Sequence, residues 1–208
     1  MKKIIYIHGL GGSGNGTSAK NVKKFLENTK LPREIINDDF CVEGNTYNLL
    51  NPMESFNQIK EDILQNPNVK MIVASSLGGF YASALETICP TILLNPCLCP
   101  KEAIPPLLYP EQRKDFDEKK CFEEWTEIQK LQDELSIESK TQKVGIFADK
   151  DEYFSYKNLF KNNFTTSKNS TFENAITIYG THEIAKDENQ LKTAISNAIE
   201  YFEILAKS

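Results

Sequence analysis

The chain has 208 residues, 40% of them hydrophobic, enough for one core of the usual 150–250-residue scale and too few for two comfortable domains, so a single domain over 1–208 is expected. Its net charge of −5, with no stretch dense in lysine or arginine, excludes the concentrated basic face that a nucleic-acid partner requires. The apolar run behind Lys2-Lys3 stops at His8, well short of the roughly 20 residues of a membrane span, and the expected setting is cytoplasmic.

In chain order, residues 4–7 form a short, continuous apolar run of the kind seen in strands covered on both faces. A glycine-rich loop follows, His8-Gly9-Leu10-Gly11-Gly12. Residues 34–38 suggest a further strand. Asn51-Pro52 reads as a cap and first-turn proline, and Phe56, Ile59 and Ile63 repeat at helical spacing behind it. Residues 71–74 and 91–94 are the next apolar runs. The stretch 100–142 then breaks the rhythm, because about forty residues stand where an α/β connection needs one helix. Phe122, Trp125, Ile128, Leu131 and Leu135 recur there at near-helical spacing, which predicts a helical insertion, either packed on the sheet's flank or acting as a small lid. Residues 144–148 and 175–179 complete the strand runs, separated by a solvated loop at 165–171. An apolar stripe from Leu191 to Leu205 predicts a closing helix. Strands alternating with amphipathic helices give an α/β fold, a mostly parallel sheet of about five to seven strands with helices on both faces.

The five cysteines lack paired C-x-x-C spacing, and the chain has only two histidines, so reduced thiols and no metal centre are expected.

Chemistry concentrates at Ile72-Val73-Ala74-Ser75-Ser76-Leu77-Gly78-Gly79, where a β-branched strand runs into a serine with small residues two positions either side. That is the pattern of a nucleophile elbow, a sharp strand-to-helix turn that leaves room only for small neighbours at −2 and +2. Ala74 and Gly78 satisfy it for Ser76; centring on Ser75 would put Val73 and Leu77 there instead. A serine hydroxyl needs a base within hydrogen-bond reach and a third group to orient that base. Of the two histidines, His8 precedes Gly9 directly after the first strand, whereas His182 follows the last strand and is the candidate base. In the order Ser, Asp, His, the acid falls in Ala148-Asp149-Lys150-Asp151-Glu152. Asp149, Asp151 and Glu152 compete; Asp151, third past the strand, is favoured, with Asp149 shaping the turn. The backbone N–H groups of Leu10 and Leu77 are candidates to face a developing oxyanion, and His8, Gly9 and Gly11 to form the substrate-binding loop. The same loop also matches G-x-G-x-x-G from Gly9 to Gly14, with Asp38 further on, which makes a nucleotide site the competing reading. A P-loop is disfavoured, since Thr17 stands where its lysine belongs.

With these pieces in place the chain resembles the α/β-hydrolase superfamily and, within it, the small bacterial YqiA/YcfP-like esterases. The resemblance rests on Ile5-Tyr6-Ile7-His8-Gly9, on Ser75-Ser76-Leu77-Gly78-Gly79-Phe80-Tyr81, and on Leu94-Asn95-Pro96-Cys97-Leu98-Cys99-Pro100. Asp151-Glu152 followed by an aromatic-rich helix, and then Thr181-His182, fall where that family's acid and base fall. The resemblance implies a compact hydrolase lacking the superfamily's first two strands, cleaving a small-molecule ester or thioester without a cofactor, with Ser76 as nucleophile, Asp151 as acid and His182 as base. Ala74 departs from the elbow's usual glycine. The alternative from another class is a catalytically idle scaffold that binds a small molecule or a protein.

Overall fold

Short apolar runs that cannot face water on either side must be covered twice, and the chain does this with one parallel sheet. The computed structural model describes residues 1–32, 36, 39–167 and 173–207. Its strands are β1 (Lys2–Ile7), β2 (Phe40–Gly44), β3 (Val69–Ser75), β4 (Thr91–Leu94), β5 (Lys143–Ala148) and β6 (Ala175–Ile178). They pair in the order β2-β1-β3-β4-β5-β6, and every pairing is parallel. The strands expected at 4–7, 71–74, 91–94, 144–148 and 175–179 fall within these limits to one or two residues. The expectation at 34–38 lies, apart from Ile36, outside the described residues.

Parallel neighbours need right-handed crossovers, so the direction in which the chain moves along the sheet decides which face each helix covers. From β1 the chain steps one way to β2 through α1 (Thr17–Glu27), then crosses back past β1 to β3 and continues the other way to β6. Helix α1 therefore lies on the face opposite the helices that lead on towards β6, and the C-terminal α9 (Glu188–Leu205) packs on that same α1 face. Val22 and Leu26 of α1 and Ala194 and Ile195 of α9 pack on Ile4, Tyr6, Val73 and Ile146. The opposite face carries α2 (Pro52–Leu64) and α3 (Ser76–Ser83), where Phe56, Ile59 and Phe80 meet Ile5, Ile72 and Leu93. The reversal between β1 and β3 parts the loops that leave their C-terminal ends, and ligands of open α/β sheets bind in that crevice.

The ends of the closing helices follow from local chemistry. Asn51 and Pro52 stand at the N-cap and first turn of α2. Asp187 caps α9 by accepting from the Asn189 and Gln190 amides, both at 2.9 Å.

The inserted segment forms α4 (Pro100–Leu107), α5 (Pro110–Asp115), α6 (Glu118–Asp133) and α7 (Ile137–Thr141), with β5 followed by α8 (Lys157–Phe164). Its anchor is Trp125, 1% exposed, whose indole N–H donates to the Tyr81 hydroxyl at 3.0 Å while that hydroxyl donates to the Leu49 carbonyl at 2.6 Å. An indole buries roughly 200 Å2, about 5 kcal/mol of transfer free energy, which makes it a strong hold of α6 against α3. Glu124 accepts from the Met53 amide and Gln132 donates to Ser83, adding holds at the middle and the C-terminal end of the helix. The segment is docked on the flank of the sheet.

Lys143, at the start of β5, is fully buried and donates to the Leu85 carbonyl (3.0 Å), the Ser139 carbonyl (3.0 Å) and the Ser139 hydroxyl (2.7 Å). It thereby ties the end of α3 to α7. Burial pushes its ammonium down to about 7, opposed by the nearby Glu86 carboxylate. Between that value and its ordinary one of 10.5 the unfolded chain binds the extra proton, so stability must rise with pH across this window. Relative to Lys143→Met, the wild type is expected to gain about 3 kcal/mol between pH 7 and pH 9.5. Urea unfolding of both proteins at the two pH values checks this, and a constant difference would refute it.

Candidate active site

The turn from β3 into α3 is tight because of what it abuts. A Cβ on Gly78 would lie 2.2 Å from the His8 carbonyl oxygen and 2.9 Å from that of Ile7, so only glycine lets α3 start directly beside the end of β1. Ala74, at the other small position, is fully buried. Between them Ser76 takes φ +50°, a left-handed conformation that a serine holds only when its surroundings impose it. Its carbonyl accepts from the Cys97 amide at 2.9 Å, which pins the strained residue from the β4 side.

The structure brings Ser76, His182 and Asp151 together. The Ser76 hydroxyl lies 3.0 Å from His182 Nε2, and His182 Nδ1 lies 2.8 Å from Asp151 Oδ2. A carboxylate only accepts, so the proton sits on Nδ1, and the Nε2 lone pair is left to receive the serine hydroxyl. The other carboxylate oxygen, Asp151 Oδ1, accepts from the Tyr153 and Phe154 amides at 2.9 and 3.2 Å. The rings of Tyr153 and Phe154 stand edge-on to the imidazole, 4.9 and 4.7 Å between centroids. The two competing acids go elsewhere: Asp149 Oδ1 accepts from the Gly180 amide at 3.0 Å, and Glu152 accepts from the His182 amide at 3.1 Å.

Leu77 lies in the first turn of α3, where backbone N–H groups have no partner within the helix, and its side chain is buried in the core. Gly9 packs against Ser76, and Gly9, Leu10 and Gly11 line a cavity of about 310 Å3 beside it. His8 is 3% exposed and holds this loop in shape: its Nε2 accepts from the Tyr47 amide at 3.0 Å, and its Nδ1 donates to the Gly9 carbonyl at 2.8 Å. Burial keeps its imidazole below the usual histidine range, only partly offset by the Gly9 bond, and with Nε2 already accepting it stays neutral. The glycines that mimic a nucleotide fingerprint have a packing reason of their own. A Cβ on Gly14 would lie 2.1 Å from the Gly44 carbonyl, so the loop is pressed onto the end of β2, and the Gly14 amide donates to Thr46 Oγ1 at 3.0 Å.

Asn95 carries a role that the reading of the sequence did not assign. At the end of β4, 2% exposed and at φ +41°, it accepts the Ala148 amide on Oδ1 at 2.8 Å. Its Nδ2 donates to the carbonyls of Thr181 and His182 at 3.2 and 3.0 Å. One amide thus joins the strand that leads to Asp151 and the loop that carries His182. An asparagine before proline, directly after an apolar run and within a segment that carries the resemblance, was its signal in the sequence. None of the cavity's lining residues comes from 100–142, so the inserted segment does not cover it. Among the described residues no group of three or more His, Cys, Asp or Glu side chains gathers to hold a metal, and the five cysteines are free thiols. Nor is any described helix long and apolar enough to cross a membrane.

Comparison with known proteins agrees with this architecture. Mouse alpha/beta hydrolase domain-containing protein 10 superposes with a TM-score of 0.56 at 15% identity, over 98% of this chain and 90% of that one. Esterase B from Lactobacillus rhamnosis, inhibited by a tributyrin phosphonate, gives 0.53 at 14% identity over all of this chain and 76% of its own. The peroxisomal α/β-hydrolase Lpx1 from Saccharomyces cerevisiae gives 0.50 at 13% identity, covering 99% of this chain and 77% of its own. At these identities the likeness is one of fold. No curated protein matches by sequence. The model of the Uncharacterised protein family (UPF0227) matches residues 3–198, almost the whole sheet and its helices, and on that match this α/β-hydrolase-fold chain belongs to the UPF0227 family.

Proposed function

We propose that the protein is a serine hydrolase that cleaves a carboxylic ester or thioester through an acyl-enzyme on Ser76. The observation that carries this is the continuous hydrogen-bonded chain from the Ser76 hydroxyl through His182 to Asp151, with the serine strained at the mouth of a crevice between two strand ends. In this reading His182 Nε2 takes the serine proton as Oγ attacks the acyl carbonyl, and Asp151 stabilises the imidazolium that forms. The Leu10 and Leu77 N–H groups receive the oxyanion, each worth about 3 kcal/mol of transition-state stabilisation. His182 then returns the proton to the departing alcohol or thiol, and water repeats the sequence to release the acid. The like-folded Lactobacillus rhamnosis esterase, inhibited by a tributyrin phosphonate, supports both the ester class and the choice of probe.

Intact mass after treatment with a fluorophosphonate tests the proposal. One adduct is expected on the wild type, and none on Ser76→Ala or His182→Ala. An unlabelled wild type, or an equally labelled Ser76→Ala, would leave the idle binding scaffold as the better account.

A further inference from the structure

The cavity beside Ser76 lies on the α1 side of the sheet, roofed by the first turn of α1 and by the loop behind His182. Its lining carries several hydroxyl-bearing side chains alongside apolar surface. Tyr6 and Ser75 stand on adjacent strands and share a hydrogen bond, Tyr6 Oη to Ser75 Oγ at 3.1 Å. Ser13, Thr17 and Ser18 complete a set of five hydroxyl-bearing side chains in the lining next to the Ser76 hydroxyl itself. Leu10, Leu94 and Ala185 are the aliphatic residues in the lining.

Charge is balanced as well. Glu183 and Lys186 are the acidic and basic side chains of the lining, and they are paired with each other. His8 is held neutral by its two bonds. An ionic group placed here would meet no unpaired counter-charge among the lining residues. A neutral group with hydroxyls of its own would meet partners that both donate and accept.

We infer that this cavity holds a neutral, hydroxyl-bearing part of the substrate, of about glycerol to monosaccharide size, so that the protein prefers esters of polyols or of hydroxylated acids over alkyl esters of equal length. The inference deepens the hydrolase reading and rests on it. Two physical arguments support it. An alkyl chain placed against these hydroxyls displaces water whose hydrogen bonds it cannot replace, which loses affinity, whereas a polyol replaces them. A volume of about 310 Å3 also stands at the small end of the roughly 300–1,000 Å3 of small-molecule sites, which suits a compact polar group rather than a long acyl chain.

The test uses two matched ester pairs, each differing only in two hydroxyls. Glycerol monoacetate against propyl acetate probes the alcohol side, and methyl glycerate against methyl propanoate probes the acyl side. Rates are followed by pH-stat, and each ratio of kcat/KM is divided by the ratio for plain alkaline hydrolysis. At least one pair is expected to favour the hydroxylated ester by about tenfold or more, and the pair that does so tells which side of the scissile bond occupies the cavity. In the double variant Thr17→Val/Ser18→Ala that ratio is expected to fall towards one. Because both esters are measured on the same preparation, the ratio does not depend on the fraction folded. Ratios near one for both pairs in the wild type, or a preference that the double variant leaves intact, would overturn the inference while fluorophosphonate labelling of Ser76 kept the hydrolase reading. Absence of that labelling, with no ester turned over, would remove the hydrolase reading and this inference together.

Discussion

Replacing Ser76 with alanine is expected to lower kcat on a simple ester such as p-nitrophenyl acetate by about four to six orders of magnitude. The hydroxyl 3.0 Å from His182 Nε2 is, on the proposed mechanism, the atom that forms the acyl bond, and the neighbouring Ser75 hydroxyl is hydrogen-bonded to Tyr6 instead. Alanine leaves the backbone donors in place, so some catalysis over water should survive. The sharper readout is non-additivity. Adding His182→Ala to Ser76→Ala should cost almost nothing further, because a base without its nucleophile has no proton to take. Two independent, additive losses would mean that serine and histidine do not act as one unit, and the mechanism would fail.

The second large effect separates two aspartates that lie two residues apart. Asp151→Asn is expected to lower kcat about 10^4-fold, because an amide in that place no longer holds the proton on His182 Nδ1 and the imidazole loses its lone pair towards Ser76. The backbone amides of Tyr153 and Phe154 fix the carboxylate in place, so the asparagine side chain has little room to find another arrangement. Asp149→Asn should cost less than about tenfold, since its carboxylate bonds the Gly180 amide, a contact an asparagine oxygen can keep. Steady-state rates of the two variants, with far-ultraviolet circular dichroism to confirm folding, settle the assignment. The reverse order of effects would move the acid role to Asp149.

The parts of the fold legible in the sequence were those where one physical cause dominates. Doubly covered strands read as continuous apolar runs, and β3, β4 and β5 are apolar and buried along nearly their whole length. The elbow was legible because small residues at two fixed offsets have a steric reason, which the contact of Gly78 with the His8 carbonyl supplies. The edge strand β2 escaped notice. Its Phe40–Gly44 segment is half exposed, with Val42 as its buried residue, so it offers no continuous run to read. Helix α1 went unremarked although Ala19, Val22 and Leu26 carry its buried stripe, because its first turn was absorbed into the glycine-rich loop. The insertion was readable as helical but not as docked; that depended on Trp125 meeting Tyr81, forty-four positions away in sequence. At the candidate site, His182 and Asp151 could be named from chain order, whereas the hydroxyl wall of the cavity could not. Tyr6, Ser18 and Ser75 come from three separate elements, and only the sheet register and the α1 crossover place them side by side.

The bonds made by Asn95 have a bearing on how this scaffold tolerates change. Because one side chain on the middle of the sheet gauges both the end of β5 and the backbone at His182, the separation of Asp151 and His182 is set in part from β4 and not only by the length of the polypeptide between them. A change in the loop that follows helix α8 can therefore leave the two groups in register. An engineer grafting new walls onto the crevice would keep this asparagine and the carbonyls it reads, together with the Tyr153 and Phe154 amides that hold Asp151.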